Sequence, residues 1–316
     1  MTYTSKTYVK PLLWVVLLFL FLLLLLSPSV VKDGVTAGFS SCVTTLIPAL
    51  FPFLVLTNLI CATGLADALG RVLAFPCRVL FGLSPSCGAA VVLGALSGFP
   101  VGAYTAVSLC ERGRCSPGEA GRMLAFCTNA GPAFLIGGVG VYLWGDARIG
   151  LLLWLSQLAA ACVVGVSFRL PRDTESIAVA PQEPLSLSAL CNAIPQAAQQ
   201  MLAICGTAVF FEVVLTALFA GELFAALPVL RTLAAGFLEV TSGITAATAA
   251  FGTRLPVLGI TLCGMFVGWS GLSVCLQVAA AAKSCKLRLG FYLRGKILQG
   301  LLTGGFALVG ATIFFS

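Results

Sequence analysis

The chain has 316 residues, of which 59% are hydrophobic and only 9% charged, with a formal net charge of +7. No soluble core of this length could hide so much apolar surface, which excludes a soluble globular protein. The basic residues sit at the ends of apolar runs rather than on one polar face. That is positive-inside topology, and it excludes nucleic-acid binding as the reason for the charge.

Leu12 to Val31 is an apolar run of about the 20 residues that span a hydrocarbon core. Lys6 and Lys10 precede it, and no small-x-small cleavage pattern follows at Ser27-Pro28-Ser29-Val30, so it reads as a retained first span. A turn is predicted at Lys32-Asp33-Gly34, closing an N-terminal transmembrane anchor over residues 1–34. Val35 to Gly64 is a long apolar segment that Ile47-Pro48 and Pro52 should kink. Ala66 to Leu83 carries Asp67, Arg71 and Arg78 about two turns apart and reads as one helix lying in the membrane interface.

The next segments are apolar but interrupted. Cys87 to Cys110 breaks at Ser97-Gly98-Phe99-Pro100. Ala120 to Trp144 breaks at Thr128-Asn129-Ala130-Gly131-Pro132. Between them, Ser116 and Glu119 form a capping-box pattern around Pro117 at the first helical position. Ile149 to Phe168 is an ordinary span, and the polar stretch Pro171 to Pro184 reads as a linker. Leu185 to Leu218 opens the second half, with Ile194-Pro195 echoing Ile47-Pro48. Leu227 to Phe251 then breaks at Leu238-Glu239-Val240-Thr241-Ser242-Gly243, and Leu255 to Ala282 breaks at Gly268-Trp269-Ser270-Gly271. Leu287 to Phe315 is the last span, behind a basic flank from Lys283 to Lys296. Matching breaks lie about 140 residues apart, the spacing of two related halves.

Counting Lys and Arg tests the topology. If the first and third broken segments are re-entrant hairpins, Lys6, Lys10, Arg71, Arg78, Arg112, Arg114, Arg122, Arg169, Arg172, Lys283, Lys286, Arg288, Arg294 and Lys296 fall on or near the cytoplasmic side. Only Lys32, Arg148, Arg231 and Arg254 fall outside. Full crossings would erase this bias, so the count favours hairpins and a cytoplasmic N-terminus. Each half then has an odd number of crossings, the second is inverted relative to the first, and the hairpin tips meet near the midplane.

Helix breaks in a bilayer free backbone groups that lipid cannot satisfy, so they persist where protein buries them or where they line a polar cavity. The breaks therefore carry the candidate substrate- or ion-binding residues. Glu239 leads them, because a carboxylate at membrane depth marks an ion or substrate path; its alternative use is to hold the hairpin. Glu212, inside the span Met201 to Leu218, reads equally as a proton or cation site or as a residue reaching to the interface. Thr128 and Asn129 offer polar groups beside unwound backbone, and Asn129 could equally cap its own broken helix. Ser97, Thr241, Ser242 and Ser270 bring hydroxyls that also back-bond within membrane helices. Gly98 sits in the first tip, while Phe99 and Trp269 could stack on a planar ligand or simply pack. Gln196, Gln199 and Gln200 suit interhelical hydrogen bonds.

Thirteen cysteines and no histidine make no CxxC pair and no zinc or haem set. Cys42, Cys61, Cys127, Cys162, Cys205, Cys263 and Cys275 lie in apolar stretches and read as small buried hydrophobes. No catalytic set, Walker A motif, HExxH or GxSxG is present, so no enzyme activity and no cofactor are expected.

Three stretches, Ile47-Pro48-Ala49-Leu50-Phe51-Pro52-Phe53, Leu96-Ser97-Gly98-Phe99-Pro100-Val101-Gly102-Ala103 and Cys127-Thr128-Asn129-Ala130-Gly131-Pro132, resemble the YlbJ family of sporulation integral membrane proteins. That family belongs with the nucleoside-recognition (Gate) domain proteins, which include concentrative nucleoside transporters and the membrane part of ferrous-iron transporters. The resemblance implies an all-α polytopic protein with two inverted Gate-type repeats, 35–170 and 187–316, joined by a linker over 171–186. It also implies a site at the hairpin tips, carried here by Ser97, Thr128, Asn129, Glu239, Thr241 and Ser242. The expected function is secondary transport of a small polar solute, nucleoside-like by analogy, coupled to H⁺ or Na⁺ in a multi-pass inner-membrane protein linked to sporulation. The alternative is a non-transporting sporulation protein that uses the same fold for assembly. Oligomeric state stays open, with a homo-oligomer among the readings.

Overall fold

The computed structural model of the chain describes residues 5–63, 65–170, 184–220 and 227–314. These residues are helical with no strand among them, as hydrocarbon demands of a chain whose backbone bonds must close within each segment. Four helices are long and apolar enough to cross a membrane: Ala147–Ser167, Leu187–Phe219, Pro256–Ala281 across its break, and Gly290–Phe314. The number rises to six if each of two sharply bent helix pairs counts as one span. The chain is therefore a multi-pass membrane protein.

The N-terminal region departs from the expected single anchor. A helix over Ser5–Leu26 ends at Ser27, and the next starts at Pro28 after a bend of 100°. Proline at a first helical position explains the restart, since its missing N–H costs nothing there. Lys32, Asp33 and Gly34 lie inside the helix Pro28–Ser41 rather than in a turn. That helix packs on Leu187–Phe219 through Gly34 and Gly38, where added methyls would come within 2.7 Å of the Val213 Cα and 2.8 Å of the Val209 Cα. Four-residue spacing of small residues lets two backbones approach this closely. A π-wound turn over Cys42–Leu46 leads to Ile47–Ala62, which retains Pro52 in its interior. The predicted interfacial helix from Ala66 to Leu83 is instead two short helices, Leu65–Val72 and Ala74–Val79.

All four breaks exist. Gly88–Leu96 and Val101–Glu111 pack along each other as a first hairpin, and Pro228–Leu238 and Val240–Phe251 as a second. Pro117–Cys127 and Pro256–Trp269, by contrast, run on past their breaks into Ala133–Leu143 and Gly271–Ala281. The feet of the first hairpin meet where the Ser86 hydroxyl donates to the Arg114 carbonyl at 2.7 Å. Nearby are the Arg114–Asp67 ion pair at 2.6 Å and the Phe168–Phe291 ring contact at 5.7 Å. Feet of the second hairpin lie at the other end of the bundle, where the Trp144 ring and Phe251 abut Gly259. Ala147–Ser167 and Pro256–Ala281 both run from this second end to the first. The two hairpins thus enter the bundle from opposite ends.

Local sequence places the first hairpin's neighbour well. The Ser116 hydroxyl accepts from the Glu119 N–H at 3.0 Å and the Glu119 carboxylate accepts from the Ser116 N–H at 3.0 Å, completing the predicted capping box. Glu119 is buried and also accepts from the Ser84 N–H at 2.7 Å, tying this helix to the preceding loop. At the other end, Asp146 caps Ala147–Ser167. Hydrogen bonds from the Arg148 side chain and N–H hold its carboxyl below the usual carboxylate range. The expected linker lies, but for its end, at residues outside those described. Of the apolar-stretch cysteines, Cys162 faces outward and Cys205 is half-buried, while Cys42, Cys61, Cys127, Cys263 and Cys275 are buried.

The second hairpin closes on glycine: a Cβ on Gly243 would fall on the backbone of Gly236. Gly243→Val should lower stability by about 3 kcal/mol through overpacking. Gly305→Ala, where an added methyl meets nothing within 4 Å, should stay within about 0.5 kcal/mol. Thermal unfolding of the purified protein in detergent checks both. In the same assay, Ser116→Ala should cost about 1 kcal/mol for its lost cap.

Candidate functional site between the hairpin tips

A cavity of about 1160 Å³ opens between the hairpin tips. Ser97, Gly98 and Phe99 reach it from the first tip, and Glu239, Val240, Thr241 and Ser242 from the second. Glu212 faces it from the long helix Leu187–Phe219, and Ala130 and Gly131 from the second break. Convergence depends on two glycines. An added methyl on Gly131 would lie 3.1 Å from the Leu96 carbonyl and 3.2 Å from the Gly98 N, and one on Gly271 would lie 2.9 Å from the Val240 N. Each broken helix is therefore pressed against the tip of the hairpin before it. A residue larger than glycine would push tip and break apart.

The polar chemistry centres on two carboxylates. Glu239 is half-buried, ends the first leg of its hairpin and caps the second, accepting from the Ser242 N–H at 2.7 Å. Glu212 faces the same cavity from the long helix Leu187–Phe219. Two acids on the wall of one cavity, one of them at a helix N-terminus, can take up a proton or a cation. Glu239 thus caps its helix, the structural use read from sequence, while also lining the cavity. Asp33 and Arg231 line the same cavity, and Arg231 lies over the Phe219 ring at 5.1 Å. Ser273 and Gln277 complete its polar wall.

Thr128, Asn129, Trp269 and Ser270 do not line the cavity. The Thr128 hydroxyl back-bonds to the Leu124 carbonyl at 3.1 Å, and the Asn129 amide donates to the Phe126 carbonyl at 2.8 Å. Asn129 thus caps its own broken helix, the structural alternative read from sequence. Trp269 stacks on Phe237 with ring centroids 5.5 Å apart and donates its indole N–H to the Phe237 carbonyl at 2.9 Å. It braces the second hairpin instead of offering a ring to a ligand. Ser270 is fully buried in a left-handed conformation with φ 70°, its hydroxyl turned onto the Trp269 carbonyl.

Lys296 also departs from the sequence reading, and so does its place in the charge count. It is fully buried, not in the cytoplasmic flank, and its ammonium donates to the Thr128 carbonyl at 2.9 Å and the Gln299 Oε1 at 2.8 Å. The Gln299 amide donates in turn to the Asn129 Oδ1 at 2.7 Å. Gln157 holds the same break from the other side, accepting from the Ala130 N–H at 3.0 Å and donating to the Ala130 carbonyl at 3.1 Å. Sequence reasoning missed Gln157, Lys296 and Gln299. A signal existed: Lys296, Gln299 and Thr303 recur at helical spacing along one face of an apolar helix. Gln200 does the work expected of its group, pairing with Asn58 through bonds of 3.1 and 3.3 Å between Ile47–Ala62 and Leu187–Phe219.

An all-helical, multi-pass membrane protein, with two hairpin tips and a helix break around one cavity, is the class these features define. No family model matches the chain, and no solved structure does. The chain is 24% identical to the protein described as sporulation integral membrane protein YlbJ of Bacillus subtilis (strain 168), over 92% of this chain and 80% of that one. This likeness spans nearly all of the helices described above.

Gln157→Leu would leave the Ala130 N–H and carbonyl buried without partners. It should cost about 3 kcal/mol in thermal unfolding. It should also speed labelling of the neighbouring, buried Cys127 by a small maleimide, because the break would open more often.

Proposed function

We propose that the protein is a secondary carrier of the cell membrane that moves a small polar solute through the cavity between its hairpin tips. The observation that carries this reading is that tips from opposite ends of the bundle line one cavity whose wall also carries Glu239 and Glu212. Glu212, Glu239 and Ser242 hold the coupling ion, H⁺ or Na⁺. Ser97, Thr241 and Gln277 meet the solute, in a cavity somewhat larger than the roughly 300–1,000 Å³ of ordinary small-molecule pockets. Lifting one tip at a time gives alternating access, with the long helices as a fixed frame. In this reading the two hairpin-plus-broken-helix units are inverted repeats of Gate type, the N-terminus is cytoplasmic, and the protein catalyses no reaction. The matched pressing of Gly131 and Gly271 on the tips before them supports the repeat. A role in spore formation is supported by the likeness to the Bacillus subtilis protein. Nucleosides come first among candidate solutes because of the sequence resemblance, ahead of amino acids and dipicolinate-like acids.

Thermal-shift screening of the purified protein against these solutes should find one that raises the unfolding temperature, as a native-state ligand must. Glu239→Gln keeps an oxygen to cap its helix but removes the charge. Uptake of that solute into proteoliposomes should fall about tenfold or more, a loss of about 1.4 kcal/mol of coupling. Glu212→Gln should do the same, and both variants should keep their unfolding temperature within a few degrees. If no solute binds and both variants support normal sporulation, the carrier reading fails and an assembly role takes its place.

A further inference from the structure

Lys296 has no role in the cavity just described, yet it sits where a membrane protein can least tolerate an isolated charge. Its side chain is fully buried at the heart of the bundle. Among the described residues it makes no ion pair. Its ammonium instead touches the Thr128 carbonyl at 2.9 Å, the Gln299 Oε1 at 2.8 Å and the face of Phe99, whose ring centroid is 5.8 Å away. Cys275 and Tyr292 are the titratable groups beside it.

The chemistry of these neighbours is that of a cation site. Pro117–Cys127 ends at the break, so the Thr128 carbonyl is free and lies at the negative end of a helix dipole. Gln299 adds an amide oxygen, fixed by its own bond to the Asn129 Oδ1 at 2.7 Å. Phe99 adds the negative face of an aromatic ring. Unwound carbonyls at broken membrane helices bind monovalent cations in this manner. A buried positive charge without a carboxylate would be expelled unless such dipoles held it.

We propose that the second break is a monovalent-cation site permanently filled by the tethered ammonium of Lys296, which does there what a bound alkali ion would do. The lysine ties the C-terminal span to the second break, and through Phe99 to the tip of the first hairpin. The break is then held without any metal ion, whatever ion the carboxylates of the cavity take. Emptied of the lysine, the site should accept an untethered cation of similar size, such as Na⁺, K⁺ or methylammonium.

The test is chemical rescue of the full-length protein in detergent, read by thermal unfolding with a thiol-reactive dye. Wild type should unfold at the same temperature in choline, potassium and methylammonium chlorides at about 100 mM, and any sodium shift due to the cavity carboxylates should appear equally in wild type and variants and is subtracted before rescue is read. Lys296→Ala should unfold about 5 °C or more lower in choline, and at least one small cation should restore half of that loss. Lys296→Met fills the space with an apolar chain and should be destabilised without rescue. If Lys296→Ala is not folded in choline, extraction in methylammonium should recover a monodisperse protein. Absence of rescue in every small cation, or in both extractions, overturns the proposal. So does a Lys296→Met variant as stable as wild type, or a wild type that each small cation stabilises as much as the variant. The assay reads folding and not transport, so its outcome is separable from that of the carrier reading.

Discussion

Every interrupted helix in this protein faces the same physical demand. Where the chain leaves helical geometry inside hydrocarbon, its N–H and C=O groups must find partners within the protein. The second break shows how side chains of distant helices meet that demand. Gln157 takes both backbone groups of Ala130, Lys296 takes the Thr128 carbonyl, and Gln299 anchors Asn129 and Lys296 together. These partners come from two different long helices, so satisfying the break also fixes how those helices pack. The second hairpin meets the demand locally, with Glu239 serving as the cap of its own second leg.

This division assigns different work to the two halves. The second break is buried and tied to the C-terminal span through Lys296 and Gln299. The tip of the second hairpin is less buried: Thr241 is exposed, and Glu239 and Ser242 are half-buried against the cavity. Segments with fewer buried contacts open at lower cost. A break bound to a long helix and a tip that faces the cavity both follow from where backbone groups find their partners.

Close backbone approach is the second constraint. Gly34 and Gly38 seat one helix on the longest one, Gly236 and Gly243 close a hairpin, and Gly131 and Gly271 let the tips touch the breaks. In lipid there is no hydrophobic drive between helices, so contact of this kind supplies the packing energy. The Gly38 contact also seats Glu212, whose Cβ lies beside it, on the wall of the cavity that Glu239 and Ser242 line.

The amino-acid sequence by itself determined the membrane class, the positions of all four breaks, the capping box at Ser116 and Glu119, and Glu239 and Glu212 as the acids to watch. Each is a local or compositional matter: hydropathy, helix breakers and charge at membrane depth act over a few residues. It also favoured hairpins through the distribution of Lys and Arg along the chain. Only the tertiary structure decided what each polar group touches. Thr128 and Asn129 look like ligand contacts in a linear motif, yet their partners, Lys296 and Gln299, lie more than half the chain away. Lys296 looks like an interfacial charge beside a basic run, and only the packing of the C-terminal span against the second break buries it. Partner choice between distant segments depends on which helices become neighbours, and no pattern within either segment encodes that.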